Sequence, residues 1–337
     1  MFPLNCLEAV RATAGSAGYS YIGCVSFEPR WANFCDQAHG DKIEPNAAFV
    51  IFPIDKGSRY ESECRARQEE AWRGSIAHLV WRSQRSDVVV AEGAPWHVVR
   101  QVLHQAVPPG GEPKTIVIDI TTMPRVCYFP LIADAMRLPE VRNVVVVYSE
   151  AGKYRPGNLE SEPTIPMAVP PLDRFPASGG RKIRVGWIPI LGFDPLFAIL
   201  VYKSLVDSYD LSGGIYPMIG FPGFQPGYFE RVVNDSARAI LSEATGNGLR
   251  DQFLYAAAGD PFETRDTILT LIGASGSDVH WVGTPVGPKP MALGILLAAL
   301  SSEMSIVVSQ ARTYHPDYSV GCGSSYGYVI KRDGVAI

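Results

Sequence analysis

Several common enzyme signatures are missing from this chain. No Gly-x-Gly-x-x-Gly occurs, so the usual dinucleotide fingerprint is absent. Gly283 to Lys289 has neither the spacing of a phosphate-cradling Walker loop nor the Ser or Thr that follows one. The six cysteines (Cys6, Cys24, Cys35, Cys64, Cys127, Cys322) form no Cys-x-x-Cys pair, a pattern of reduced cytosolic thiols. The six histidines do not cluster, and Cys35 and His39 stand apart from other ligands, so no zinc site is expected. Gly323-Ser324-Ser325-Tyr326-Gly327 matches Gly-x-Ser-x-Gly, but a hydrolase elbow needs its acid and histidine later in the chain, and no histidine follows. The longest apolar runs, such as Met291 to Leu300, are too short to span a bilayer, and Met1 to Asn5 lacks a signal-peptide pattern. These absences predict a cytoplasmic, non-membrane protein. A net charge of −4 gives no bulk attraction to nucleic acid, although a local basic crevice could still hold phosphates.

What is present is a repeat. Phe27-Glu28-Pro29 returns as Phe193-Asp194-Pro195, and Ala94-Pro95-Trp96 as Asp260-Pro261-Phe262. Pro124-Arg125 returns as Pro288-Lys289, and Tyr154-Arg155-Pro156 as Tyr314-His315-Pro316. The offset is 166 residues for the first two pairs (27 to 193, 94 to 260), then 164 (124 to 288) and 160 (154 to 314). Four matches in the same order at nearly constant spacing predict an internal duplication with a pseudo-twofold. The 337 residues divide into a first copy at 1–157, a linker at 158–180 rich in Pro, Glu, Ser and Gly, and a second copy with a C-terminal extension at 181–337.

Short β-branched runs alternate with helical patterns in both halves. The first half predicts strands at Tyr19 to Ser26, Ala48 to Ile54, Asp87 to Ala91, Thr115 to Ile120 and Asn143 to Tyr148. The second predicts them at Ile183 to Ile190, Gly214 to Ile219, Gln252 to Ala257, Val279 to Thr284 and Ser305 to Ser309. The expected fold class is α/β, with two tandem Rossmann-like parallel-sheet domains. The tail from Ser319 has no counterpart in the first half, and Tyr326 to Lys331 reads as a closing strand or hairpin arm.

Open α/β sheets bind ligands at the carboxyl ends of their strands. In a 3-2-1-4-5 order, the loops after strands one and four share a crevice. The strand-one loops offer Ser26, Glu28 and Arg30, and Gly192 and Asp194. The strand-four loops offer Thr121, Thr122 and Arg125, and Thr284, Gly287 and Lys289. Hydroxyls and a cation where a helix begins suit a phosphate. Glu28 and Asp194 suit a ribose hydroxyl, a bridging metal or a base, or else cap the next helix. Tyr154 and Tyr314 are candidates to stack on a base, or to pack over a sheet edge. Gly321 to Ser325 is a glycine-rich turn or a lid over the second-half pocket.

The run Val282-Gly283-Thr284-Pro285-Val286-Gly287-Pro288-Lys289-Pro290-Met291 resembles the Gly-Gly-Thr-Lys-x-Met loop of CARF domains, the Rossmann-like sensors of cyclic oligonucleotides in CRISPR-linked defence. Pro288 stands where that family usually has Thr, and Val286 where it has its first Gly. The resemblance implies a ligand at Thr284, Gly287, Lys289, Gly192 and Asp194. It also implies a cyclic or linear oligonucleotide second messenger, an effector protein as partner, and a role in prokaryotic antiviral defence. No cofactor is expected. Two other readings stand beside this sensor: a ring-nuclease-like enzyme acting on phosphodiesters in the same crevice, and a scaffold subunit of a larger complex.

Overall fold

The structure is a computed structural model that describes residues 4–53, 61–80, 85–91, 95–108, 110–112, 114–154, 163–177, 181–244, 253–309, 311, 315–317 and 319–337, with side chains left out at 52–53, 72, 75–80, 85–91 and 95. It divides into two compact units. One comprises Pro3–Ser161 together with Arg312–Ile337, and the other Glu162–Ala311. Each is a mixed α/β unit built on a mostly parallel sheet.

The first sheet contains β1 (Ser20–Cys24), β2 (Ala47–Pro53), β3 (Arg85–Ala91), β4 (Lys114–Asp119) and β5 (Val141–Tyr154). All five are parallel, in the order β3-β2-β1-β4-β5. Ile116, Val117 and Ile118 on β4, and Val144 to Val147 on β5, are buried on both faces, as a helix-covered parallel sheet requires.

The second sheet contains β6 (Arg184–Ile190), β7 (Asp210–Ile215), β8 (Met218–Gly220), β9 (Leu254–Ala256), β10 (His280–Pro285) and β11 (Ser305–Val308). Its main path runs β9-β8-β6-β10-β11, and β7 also pairs β6 in parallel. The predicted single strand from Gly214 to Ile219 is therefore two short ones. Gly214, within β7 and opposite Gly186 on β6, sits at φ +102°, a conformation that disfavours a side chain. Trp187, fully buried on β6, centres the core of this unit. With β7 left out of the count, both sheets follow the 3-2-1-4-5 order along their main paths, so each strand-one loop neighbours its strand-four loop.

Two expectations about the chain's division are corrected. The stretch assigned as a linker at 158–180 contributes to the second sheet. Met167–Ala168 pairs antiparallel with β11, and the Ile306 carbonyl accepts from Val169 N at 3.0 Å. The C-terminal extension assigned to the second copy belongs to the first unit. Ser319–Arg332 runs antiparallel along β5, with Tyr328 opposite Val146 and Val329 opposite Val145. The physical reason is burial: without this strand β5 would be a long apolar edge. The turn from Gly321 to Ser325 accordingly lies in the first unit. Sequence reading also missed the helices Cys6–Ala14 and Asn33–Gly40.

Among the described residues, no helix is long and apolar enough to cross a membrane. The six cysteines form no disulfide with one another, and four of them are buried.

Candidate functional site

In both units the helix after the fourth strand starts in the same way. Pro124 caps the helix Arg125–Arg137 at φ −59°, ψ 146°, and Pro288 caps Lys289–Leu300 at φ −56°, ψ 144°. Neither cap supplies a side-chain hydrogen bond. The proline angle holds the chain extended up to the first helical residue, which is Arg125 in one unit and Lys289 in the other. A cation thus stands at each helix N-terminus, where backbone N–H groups and the helix dipole favour an anion. The fourth strands pair directly with the first strands, β4 with β1 and β10 with β6, so these starts sit beside the strand-one loops.

In the first unit the two loops are tied together. Thr122 Oγ1 donates to the Cys24 carbonyl at 2.9 Å. Thr121 is fully buried: its N–H donates to Asp119 Oδ1 at 2.8 Å, and its Oγ1 accepts from Ser149 N at 2.9 Å. Glu28 and Arg30 form a buried ion pair, with Arg30 Nε 3.0 Å from Glu28 Oε2. Ser319 Oγ on the C-terminal strand also donates to that carboxylate, and Arg30 Nη1 donates to the Ser149 carbonyl at 3.2 Å. Burial works against the Arg30 charge, but Glu28, with Tyr154 and Tyr148, holds its pKa well above the usual value. Ser26 Oγ accepts from Glu28 N at 3.2 Å. The structure therefore gathers Ser26, Glu28, Arg30 and Tyr154, with Arg30 linking across to Ser149 on β5. Arg125 lies half-buried beside Tyr128, one turn along its own helix, and offsets part of the rise that burial imposes on the Tyr128 hydroxyl.

The second unit brings its loops closer still. A Cβ on Gly192 would lie 2.5 Å from the Val286 carbonyl, and one on Gly287 would lie 2.6 Å from the Leu191 carbonyl. Only glycines allow these backbones to touch. Thr284 is fully buried and its Oγ1 accepts from Trp187 Nε1 at 2.8 Å, so this hydroxyl serves the core. Lys289 is half-buried at its helix start. Asp194 Oδ1 accepts from Leu196 N at 2.9 Å and so helps start the helix Leu196–Ser208. Its Oδ2 is buried and takes no hydrogen bond from any described residue. Burial raises the Asp194 carboxyl pKa, and the Leu196 N–H partly opposes that. Tyr314 lies outside the described residues.

Asp194→Asn keeps the oxygen that accepts from Leu196 and removes the buried charge. The wild-type carboxyl binds protons more readily folded than unfolded, so its contribution to stability falls as pH rises through its raised pKa. The variant is expected to be more stable than wild type at pH 7, with the difference shrinking toward pH 4. Urea midpoints at the two pH values check this, and a variant less stable at pH 7 would show that the carboxylate is well solvated.

Sequence reasoning missed Asp119, Ser149 and Ser319. Asp119 ends β4, where an acid at a strand's carboxyl end was a usable signal. The two serines had none, because their partners are distant in the chain.

No protein-family model matches this chain, and no curated protein matches it. Among solved structures, the cytoplasmic domain of a prokaryotic cation chloride cotransporter aligns over 88% of this chain and 96% of that chain at 10% identity, with a TM-score of 0.25. A likeness that low says nothing about function.

Proposed function

We propose that the protein is a cytoplasmic sensor that binds a nucleotide or cyclic oligonucleotide at the carboxyl edges of its sheets and signals through a partner protein. The observation that carries this reading is the repeated helix start: a proline cap with matching backbone angles, a cation at the first helical position, and a strand-one loop alongside, in both units. That repetition also supports descent of the two units from one duplicated unit. The second unit is the principal ligand site. In the first, Glu28 and Arg30 already satisfy each other and Ser319, whereas Asp194 keeps an acceptor without a partner. A place in prokaryotic antiviral defence follows from the resemblance of the Gly283 to Met291 loop to CARF sensors.

The test is a panel of linear and cyclic nucleotides, read by thermal shift together with chromatography of the products. A ligand at 100 times its Kd adds about 2.7 kcal/mol, a shift of about 5–10 °C for a unit of this size. Lys289→Ala is expected to weaken binding about 10- to 150-fold, the worth of one charge-assisted hydrogen bond. Binding without new products supports a sensor. New products would convert the reading to a phosphodiester-processing enzyme, and no shift with any nucleotide would end it.

A further inference from the structure

The carboxyl edge of the second sheet carries aromatic rings that the phosphate site alone does not explain. Phe221 follows β8 directly and is 56% exposed. It is held in place: its N–H donates to the Ala256 carbonyl at 2.8 Å, the Pro222 carbonyl accepts from Ala258 N at 3.0 Å, and its ring packs edge-on against Phe229 with centroids 5.0 Å apart. Phe193, on the strand-one loop, packs edge-on against Tyr228 at 5.0 Å, and the Arg231 guanidinium lies 4.2 Å from the centre of its ring. Exposed phenylalanine on a braced loop is costly to leave in water, and a planar partner that covers it recovers that cost.

The order of the strands sets the order of the chemistry. Along the edge, β8 lies next to β6 and β6 next to β10. Their loops present, in turn, an aromatic ring (Phe221), a carboxylate with an open acceptor (Asp194) and a cation at a helix start (Lys289). Neighbouring strands are about 4.8 Å apart, so β8 and β10, whose loops carry the ring and the cation, run about 10 Å apart. A nucleotide has the same sequence of groups at a similar spacing: a flat base, a sugar with donor hydroxyls, and a phosphate.

We infer that the second unit takes its ligand in one direction, with a nucleobase stacked on Phe221, the ribose hydroxyls at Asp194 and the phosphate at Lys289. This rests on the nucleotide-binding reading above and adds that the base itself supplies affinity. Stacking on an aromatic side chain is tolerant of sequence, so the site selects for the presence of a base more than for its identity.

The experiment compares AMP and cyclic di-AMP with ribose 5-phosphate, which lacks a base, by titration calorimetry on the full chain. Wild type is expected to bind the base-bearing ligands about 5- to 150-fold more tightly than ribose 5-phosphate. Phe221→Ala should erase that preference while leaving ribose 5-phosphate binding unchanged, and Phe221→Trp should restore it. Equal binding of all three ligands by wild type, or a Phe221→Ala loss that is the same with and without the base, overturns the base-stacking inference but leaves phosphate binding standing. Failure of wild type to bind any of the three overturns the base-stacking inference, and the nucleotide reading falls with it when the wider panel of linear and cyclic nucleotides also gives no shift.

Discussion

Ending the chain at Ala311 is expected to unfold the unit built on β1 to β5 and to spare the unit built on β6 to β11. The removed strand, Ser319–Arg332, is not an appendage. It lies between β5 and the short strand Leu4–Asn5 in the first sheet. Tyr328 and Ile330 are 1% and 0% exposed, and Val329 packs into the same core as Tyr21, Phe34 and Val147. Burying side chains of this size stabilises by about 1.5–3 kcal/mol each, so the three together contribute on the order of 5 kcal/mol or more. That approaches the whole stability of a typical domain, about 5–15 kcal/mol. Polar losses add to it. Lys331 Nζ donates to the Met136 and Leu138 carbonyls at 3.0 and 2.9 Å, closing the end of the helix Arg125–Arg137, where a cation also suits the dipole. Ser325 Oγ accepts from Asn33 Nδ2 at 2.8 Å and Gln37 Nε2 at 3.2 Å. Hydrogen exchange separates the two units: amides of Ile116 to Asp119 should lose protection in the truncated chain, while those of Val185 to Ile190 keep theirs. Retained protection in β4 would show that the first unit folds without its last strand.

The same strand marks the limit of what the sequence disclosed. The five parallel strands of the first unit, and those of the second apart from the split at 210–220, were legible because each is a compact apolar run bounded by turn residues, and local composition is enough to define them. The order of the strands was not: 3-2-1-4-5 entered as an assumption, because right-handed crossovers are equally compatible with other doubly wound orders. Ser319–Arg332 begins Ser-Val-Gly-Cys-Gly-Ser-Ser, which reads as a turn, and its partner β5 lies more than 160 residues earlier. Nothing local encodes such a pairing. The site divides in the same way. The helix starts at Arg125 and Lys289 were readable, because a proline followed by a cation is a local signal. The fates of the hydroxyls were not. Thr284 was named for a ligand, yet its oxygen accepts from Trp187, 97 residues away. Thr121 is likewise spent on Ser149 N. A threonine's exposure is set by the sheet that folds around it, and its own neighbours in sequence do not reveal it.

Arg30→Met is expected to destabilise the first unit by about 3–5 kcal/mol, the usual cost of stripping one partner from a buried ion pair. The side chains of Arg30 and Glu28 are 5% and 10% exposed, so little water reaches the pair. With the guanidinium gone, the buried Glu28 carboxylate loses the cation paired with it and keeps the neutral Ser319 Oγ as a donor, against the penalty of burial. Its proton affinity should rise, and the variant should therefore regain stability as the pH falls and Glu28 takes up a proton. The sign is fixed by linkage: a carboxyl with a raised folded pKa makes the folded state bind more protons, so stability decreases as pH increases through that pKa. Glu28→Gln/Arg30→Met removes both charges at nearly constant volume and should recover most of the loss. Recovery stays incomplete because the Ser149 carbonyl also loses its Arg30 donor. Urea unfolding of wild type, single and double variants at pH 7 and pH 4.5 measures all of this. A loss below about 1 kcal/mol for Arg30→Met would mean that the pair behaves as a screened surface contact. Glu28 and Arg30 would then be available to a ligand, as their place on the strand-one loop first suggested, and the first unit would rank with the second as a binding site.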